Sequence, residues 1–112
     1  MVNLSIDKKR LWLKSMSSVD TDGNTFNEPK NASGYNKAMV FVSRGDGPNI
    51  NVYLCTQDFY SKGWRDIGKI ENIGAGYHVF VVENIGYKLA CRWELLEAGT
   101  VADLMISALL TK

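Results

Sequence analysis

One histidine and two cysteines are the whole supply of soft metal ligands in 112 residues. Without carboxylates they cannot complete a four-ligand zinc site. The lone histidine, His78, has no serine and acid partner at a recognisable spacing, so no nucleophile–base pair can be assembled around it. A phosphate-binding loop is also missing: Gly74-Ala75-Gly76 falls between two expected strands and lacks the helix N-terminus such a site uses. These absences leave no reaction chemistry, and the chain reads as non-enzymatic with no cofactor. Charge of one sign is lacking too. Thirteen basic against twelve acidic side chains give a net charge of +1, which offers a nucleic-acid backbone no footprint. No apolar run approaches the ~20 residues of a membrane span. The opening MVNLSIDKKR has no hydrophobic stretch ahead of its charges, so no signal peptide is expected, and folding is expected in a cytoplasm with Cys55 and Cys91 reduced. Asn3-Leu4-Ser5 and Asn31-Ala32-Ser33 fit the glycosylation pattern but carry little weight without a secretory route.

What the chain does have is apolar content, 46% of residues, in short alternating runs. A chain of this size buries roughly two thirds of its unfolded surface, so residues 1–112 read as a single domain. Its centre is Gly76 to Leu96. Tyr87, Leu89, Cys91, Trp93 and Leu95 alternate with polar residues, the mark of a half-buried strand. In the preceding strand His78, Phe80 and Val82 form one apolar face and Tyr77, Val79 and Val81 another. A strand apolar on both sides is covered on both sides, by its own domain or by another subunit. The turn Glu83-Asn84-Ile85-Gly86 is expected to join the two as a hairpin.

Elsewhere, a short edge strand is expected at Leu4–Ile6, and a less regular strand from Arg10 to Val19, with Leu11, Leu13 and Val19 on one phase and Trp12 and Met16 on the other. A polar loop follows through Pro29 and Gly34. Lys37–Ser43 and Ile50–Thr56 flank Gly45-Asp46-Gly47-Pro48 and read as a second hairpin. Trp64–Ile73 includes a further strand. The tail fits a helix through Val101, Leu104, Met105 and Ala108, with Thr100 and Asp103 as a capping box, and equally fits a strand through Ala102, Leu104, Ile106 and Ala108. Strand is preferred, because every earlier element is short and punctuated by turns. The expected fold is all-β: an antiparallel β-sandwich or jelly roll of seven to eight short strands with little helix.

Three constellations stand out. Tyr53, Tyr77, Val79 and Val81 form a candidate oligomer or docking interface. Phe59, Tyr60 and Trp64 form a candidate glycan platform, against the alternative that Trp64 caps the core edge. Asp20, Asp22 and Asn24 place oxygens at alternating positions, as a calcium loop does, against an ordinary Asp-Gly turn; no metal is assigned.

From Asn51 onward the features follow a familiar order: Trp64-Arg65-Asp66-Ile67, then Ala75-Gly76, Gly86-Tyr87 and Gly99-Thr100, each ahead of or within a strand. This order resembles the β-sandwich modules of tailed-phage virion proteins, of the capsid decoration (cement) or head and tail fibre type, over residues 51–110. The resemblance implies a final strand at the tail and no catalytic residue. It also implies a structural protein of the virion, assembled in the host cytoplasm, that forms homo-oligomers, typically trimers, and docks on a capsid or another virion protein. A carbohydrate-binding module is the competing expectation.

Overall fold

The computed structural model describes residues 8–57 and 63–112. Its nine strands are β1 (Lys8–Val19), β2 (Gly23–Asn24), β3 (Lys30–Asn31), β4 (Lys37–Arg44), β5 (Ile50–Gln57), β6 (Trp64–Ile73), β7 (Gly76–Glu83), β8 (Lys88–Leu95) and β9 (Val101–Thr111), with no helix among the described residues. The strand expected at residues 4–6 lies outside them. One sheet runs β1-β9-β4-β7; the other runs β2-β8-β5-β6, with β3 also on β8. All ladders are antiparallel. The two sheets make the antiparallel sandwich that the alternation predicts, and their strands follow jelly-roll order.

The core lies between them. Val40 and Val42 of β4 and Leu104, Ile106, Ala108 and Leu110 of β9 face Ile50, Val52 and Leu54 of β5 and Leu89, Cys91 and Trp93 of β8. Each inward set is the alternate-residue set of its strand.

Two expected hairpins are not hairpins. β7 pairs with β4, and β8 pairs with β5, so residues 84–87 carry the chain from one sheet to the other. β4 and β5 likewise lie in different sheets, and Gly45-Asp46-Gly47-Pro48 is an arch between them. Side-chain and backbone bonds explain both. Ile85 is fully buried, so the β7–β8 link drops an apolar residue into the core as it crosses. In the β4–β5 arch the Gly45 amide donates to Ala102 O (2.7 Å), and the Ala102 amide returns a bond to Asp46 O (2.9 Å). Arg44, only 4% exposed, donates to the carbonyls of Gly45, Gly47 and Pro48 in the arch and of Ile73 at the end of β6. The β8–β9 connection crosses the sandwich too; only β5 and β6, of the long consecutive strands, pair with each other.

The tail is a strand, as preferred. Asp103 has φ 51°, and the β1–β9 register slips between Ser17↔Leu104 and Val19↔Val101. This bulge turns Val101 inward alongside Leu104 and reproduces the three-residue spacing of a helix. Further slips in β1, between Trp12 and Lys14 and between Lys14 and Ser17, explain its irregular alternation.

Candidate interaction surface

The outer face of the β1-β9-β4-β7 sheet is built by strand register. Trp12 lies opposite Ser107, Ser107 opposite Phe41, and Phe41 opposite Val79, giving one row across the sheet. The next row is Arg10, Leu109, Met39 and Val81; on the other side Met105, Ser43 and Tyr77 align. The upright side chains are exposed: Trp12 53%, Met39 40%, Tyr77 87%, Val79 48% and Val81 55%. Scaled by residue size, these five present roughly 600 Å², at the top of the ~300–600 Å² of an ordinary monomer's largest apolar patch. The Arg10 guanidinium lies 5.7 Å from the Trp12 ring centre and 5.4 Å from that of Phe41, and donates to Ser107 Oγ at 3.3 Å. The Lys37–Glu83 pair, 3.5 Å apart, closes the far end of the patch.

The opposite outer face has a different chemistry. Arg92 makes a two-pronged bond to Asp66, 2.9 Å to Oδ1 and 2.6 Å to Oδ2, and lies 3.7 Å from the centre of the Tyr53 ring. The Arg92 bond holds the Asp66 carboxyl below its ordinary value, and the Asp66 bond raises Arg92. A bond to the Glu94 carboxylate raises the Tyr53 phenol. Cys55 Sγ donates to Asp66 Oδ1 at 3.2 Å, and burial pushes its thiol well up.

The expected interface is therefore split. Tyr77, Val79 and Val81 stand together on the apolar face, whereas Tyr53 belongs to the charged network on the other sheet. Trp12, Phe41, Met39 and Met105 complete the apolar face. β4 alternation gave a phase to Met39 and Phe41, but only the sheet order sets them beside β7.

The glycan platform is placed in part. Trp64 is half-buried and stacks on Phe26, with ring centres 4.9 Å apart and planes 5° from parallel. Phe59 and Tyr60 lie outside the described residues. No local pattern points to Phe26, which reaches Trp64 only through the fold.

At Asp20–Asn24 two of the side-chain oxygens are engaged by backbone amides. Asp22 Oδ1 accepts from the Leu95 amide at 2.7 Å, and Asn24 Oδ1 accepts from the Phe26 amide at 3.1 Å. Asp20 is exposed. Among the described residues no group of three or more His, Cys, Asp or Glu is placed to hold a metal. His78 is half-buried on the inner side of β7, its Nε2 2.8 Å from Gly74 O.

Sequence reasoning did not find Lys14. It is 7% exposed, and its ammonium donates to Ser15 O (3.0 Å), Ser17 O (3.4 Å), Ser17 Oγ (2.7 Å) and Leu104 O (3.0 Å). It also lies 5.4 Å from the Trp93 ring centre. Burial lowers its pKa. The ammonium sits at the register slips of β1 and donates to carbonyls on both β1 and β9.

No protein-family model and no curated protein sequence matches the chain. Among solved structures, a chain from Bacillus endospore appendages, which form a family of disulfide-linked pili, is similar at a TM-score of 0.56 and 12% identity, over 98% of each chain. A second similar chain is the Yersinia pseudotuberculosis-derived mitogen, with a TM-score of 0.40 and 10% identity, over 96% of this chain and 86% of that one. The appendage likeness supports the all-β sandwich across the full length. Neither neighbour is a tailed-phage protein.

Proposed function

We propose that this chain is a non-enzymatic structural subunit that assembles with copies of itself, burying the outer face of the β1-β9-β4-β7 sheet. The observation that carries the reading is the contiguous apolar face from Trp12 to Val81, set against a charged face on the other sheet. Obligate homo-oligomer contacts are relatively apolar, and ~800 Å² per partner makes a standard interface. The fold shared with an appendage-forming chain supports the broad class of structural subunits. The phage resemblance narrows it to a capsid decoration protein, a trimer seated on a capsid or another virion protein. Linkage in those appendages is by disulfides. Here both cysteines are buried, so burial of apolar surface is the available route.

Solution mass at tens of micromolar tests the reading. The wild-type chain is expected to be a discrete oligomer, and Met39→Lys with Val81→Lys to be a folded monomer. A trimer that binds capsids supports the decoration form; a strict wild-type monomer ends the assembly reading. Retention on a glycan array, lost in Trp64→Ala with the fold intact, would instead favour the carbohydrate-binding alternative.

A further inference from the structure

Among the described residues four edges bound the two sheets, and three of them are blunted. β1 is slipped in register at three places and carries Lys8, Lys9, Arg10 and Lys14. β6 has two slips and carries Arg65, Asp66, Lys69 and Glu71. The edge formed by β2 and β3 consists of two-residue strands. Such bulges, charges and short lengths are how native sheets block further pairing. β7 has none of them. It pairs with β4 in unbroken register from Gly76↔Arg44 to Glu83↔Lys37, and Gly76 to Val82 contains no Asp, Glu, Lys, Arg or Pro. As the last strand of its sheet it has, among the described residues, only β4 as a ladder partner. A long, flat, uncharged edge is a template for another strand.

We infer that β7 pairs antiparallel with β7 of a second copy about a two-fold axis at Val79, joining two four-stranded sheets into one. The inference rests on the assembly reading in its general form and sets a two-fold contact in place of the trimer that the phage resemblance implies. The sequence of the strand is self-complementary in this register. Tyr77 of each copy lies opposite Val81 of the other, an aromatic beside a β-branched residue. Glu83 of each copy falls beyond the paired segment, so no like charges meet. The apolar outer faces become continuous across the axis, which places the exposed side chains of Tyr77, Val79 and Val81 against their counterparts. These three expose roughly 350 Å² per copy, of which side-by-side pairing covers only a part, far short of the ~800 Å² of a standard interface. Edge pairing therefore makes the lateral contact, and the rest of the face stays free for further packing.

Disulfide trapping of the full chain tests this geometry. In the proposed register the two Val79 Cβ atoms lie ~4.5–5.5 Å apart, within reach of a bond once backbones adjust. Met39, one strand inward on the same face and level with Val81, is three strand spacings across the sheet and four residues along it from its counterpart, ~20 Å away. Under mild oxidation Val79→Cys is expected to become covalent dimer, while Met39→Cys and the wild-type chain with its buried thiols do not. In the wild-type oligomer the β7 amides are expected to exchange slowly with solvent, and to exchange faster on dilution to monomer. Both cysteine variants should keep the wild-type melting temperature, since both sites are exposed. A strict trimer, or an oligomer whose β7 amides exchange freely and whose Val79→Cys variant fails to cross-link, overturns edge pairing and leaves the assembly reading standing. A strict monomer overturns both.

Discussion

Cys91 offers a quantitative test of how well the sandwich seals its core. Its side chain is fully buried on β8; its amide donates to Thr25 Oγ1 at 3.1 Å, and Sγ lies 3.6 Å from the same oxygen. Burial pushes the thiol from its ordinary 9.0 up to about 12, with the Thr25 bond and the Lys14 ammonium opposing the rise. In the unfolded chain the thiol ionises near its ordinary value. Between that value and the folded one, the folded state holds a proton that the unfolded state has lost, so stability falls as pH rises through the window. At pH 8 the contribution is intact; by about pH 10 some 1.4 kcal/mol has gone, and roughly the same again follows for each further unit up to the folded value. Cys91→Ala removes this slope at a cost of about 1 kcal/mol for the lost buried sulfur. Urea unfolding under reducing conditions at about pH 8, 9 and 10 should show the variant less stable at the lowest pH and the two curves converging at the highest. Cys55 and Lys14 titrate in both chains and largely cancel from the difference. Lys14 acts with the opposite sign: its folded pKa is lowered, so stability gained from it rises as pH climbs toward its ordinary 10.5. Parallel curves for wild type and Cys91→Ala would refute the claim that this thiol is cut off from water.

Three further outcomes follow from the same packing. Gly47→Ala should cost about 2 kcal/mol or more, because Gly47 holds φ 136° and an added Cβ would run into the Thr100 backbone; the melting temperature reads it. Arg44→Met should cost about 3 kcal/mol or more, by stranding several buried carbonyls in and beside the β4–β5 arch, and hydrogen exchange at Gly45 and Ala102 should accelerate. Asp66→Asn should cost only about 0.5–1 kcal/mol, since the pair with Arg92 is partly exposed, and the difference should shrink in high salt. The Asp66 contribution is present above its ordinary 3.8 and fades as pH falls through its lowered folded value, so the Asn variant should show a shallower acid limb.

Strand positions were legible because alternation is a local property. The expected runs Lys37–Ser43 and Ile50–Thr56 fall one residue short of β4 and β5. Strand partners were not legible. Gly45-Asp46-Gly47-Pro48 has the same turn chemistry whether the chain returns within a sheet or arches to the other, because inward residues from either sheet meet the same core. The tail fitted both readings for a different reason: one bulge at Asp103 shifts the alternation and copies helical spacing between Val101 and Leu104. Tyr53 was grouped with Tyr77, Val79 and Val81 as one candidate interface, yet β5 lies in the other sheet and Arg92 covers its ring.

The sequence by itself determined an all-β chain, the inward set of most strands, and a strand at 77–82 with one apolar face too many. It did so because side-chain direction alternates along any extended segment, wherever that segment lies. The tertiary structure decided that β7 is an edge, that Trp12, Phe41 and Met39 extend its spare face into a patch, and that Arg44 and Lys14 close the irregular backbone beside it. Those outcomes depend on which strand lies beside which, a choice made by contacts between residues far apart in the chain.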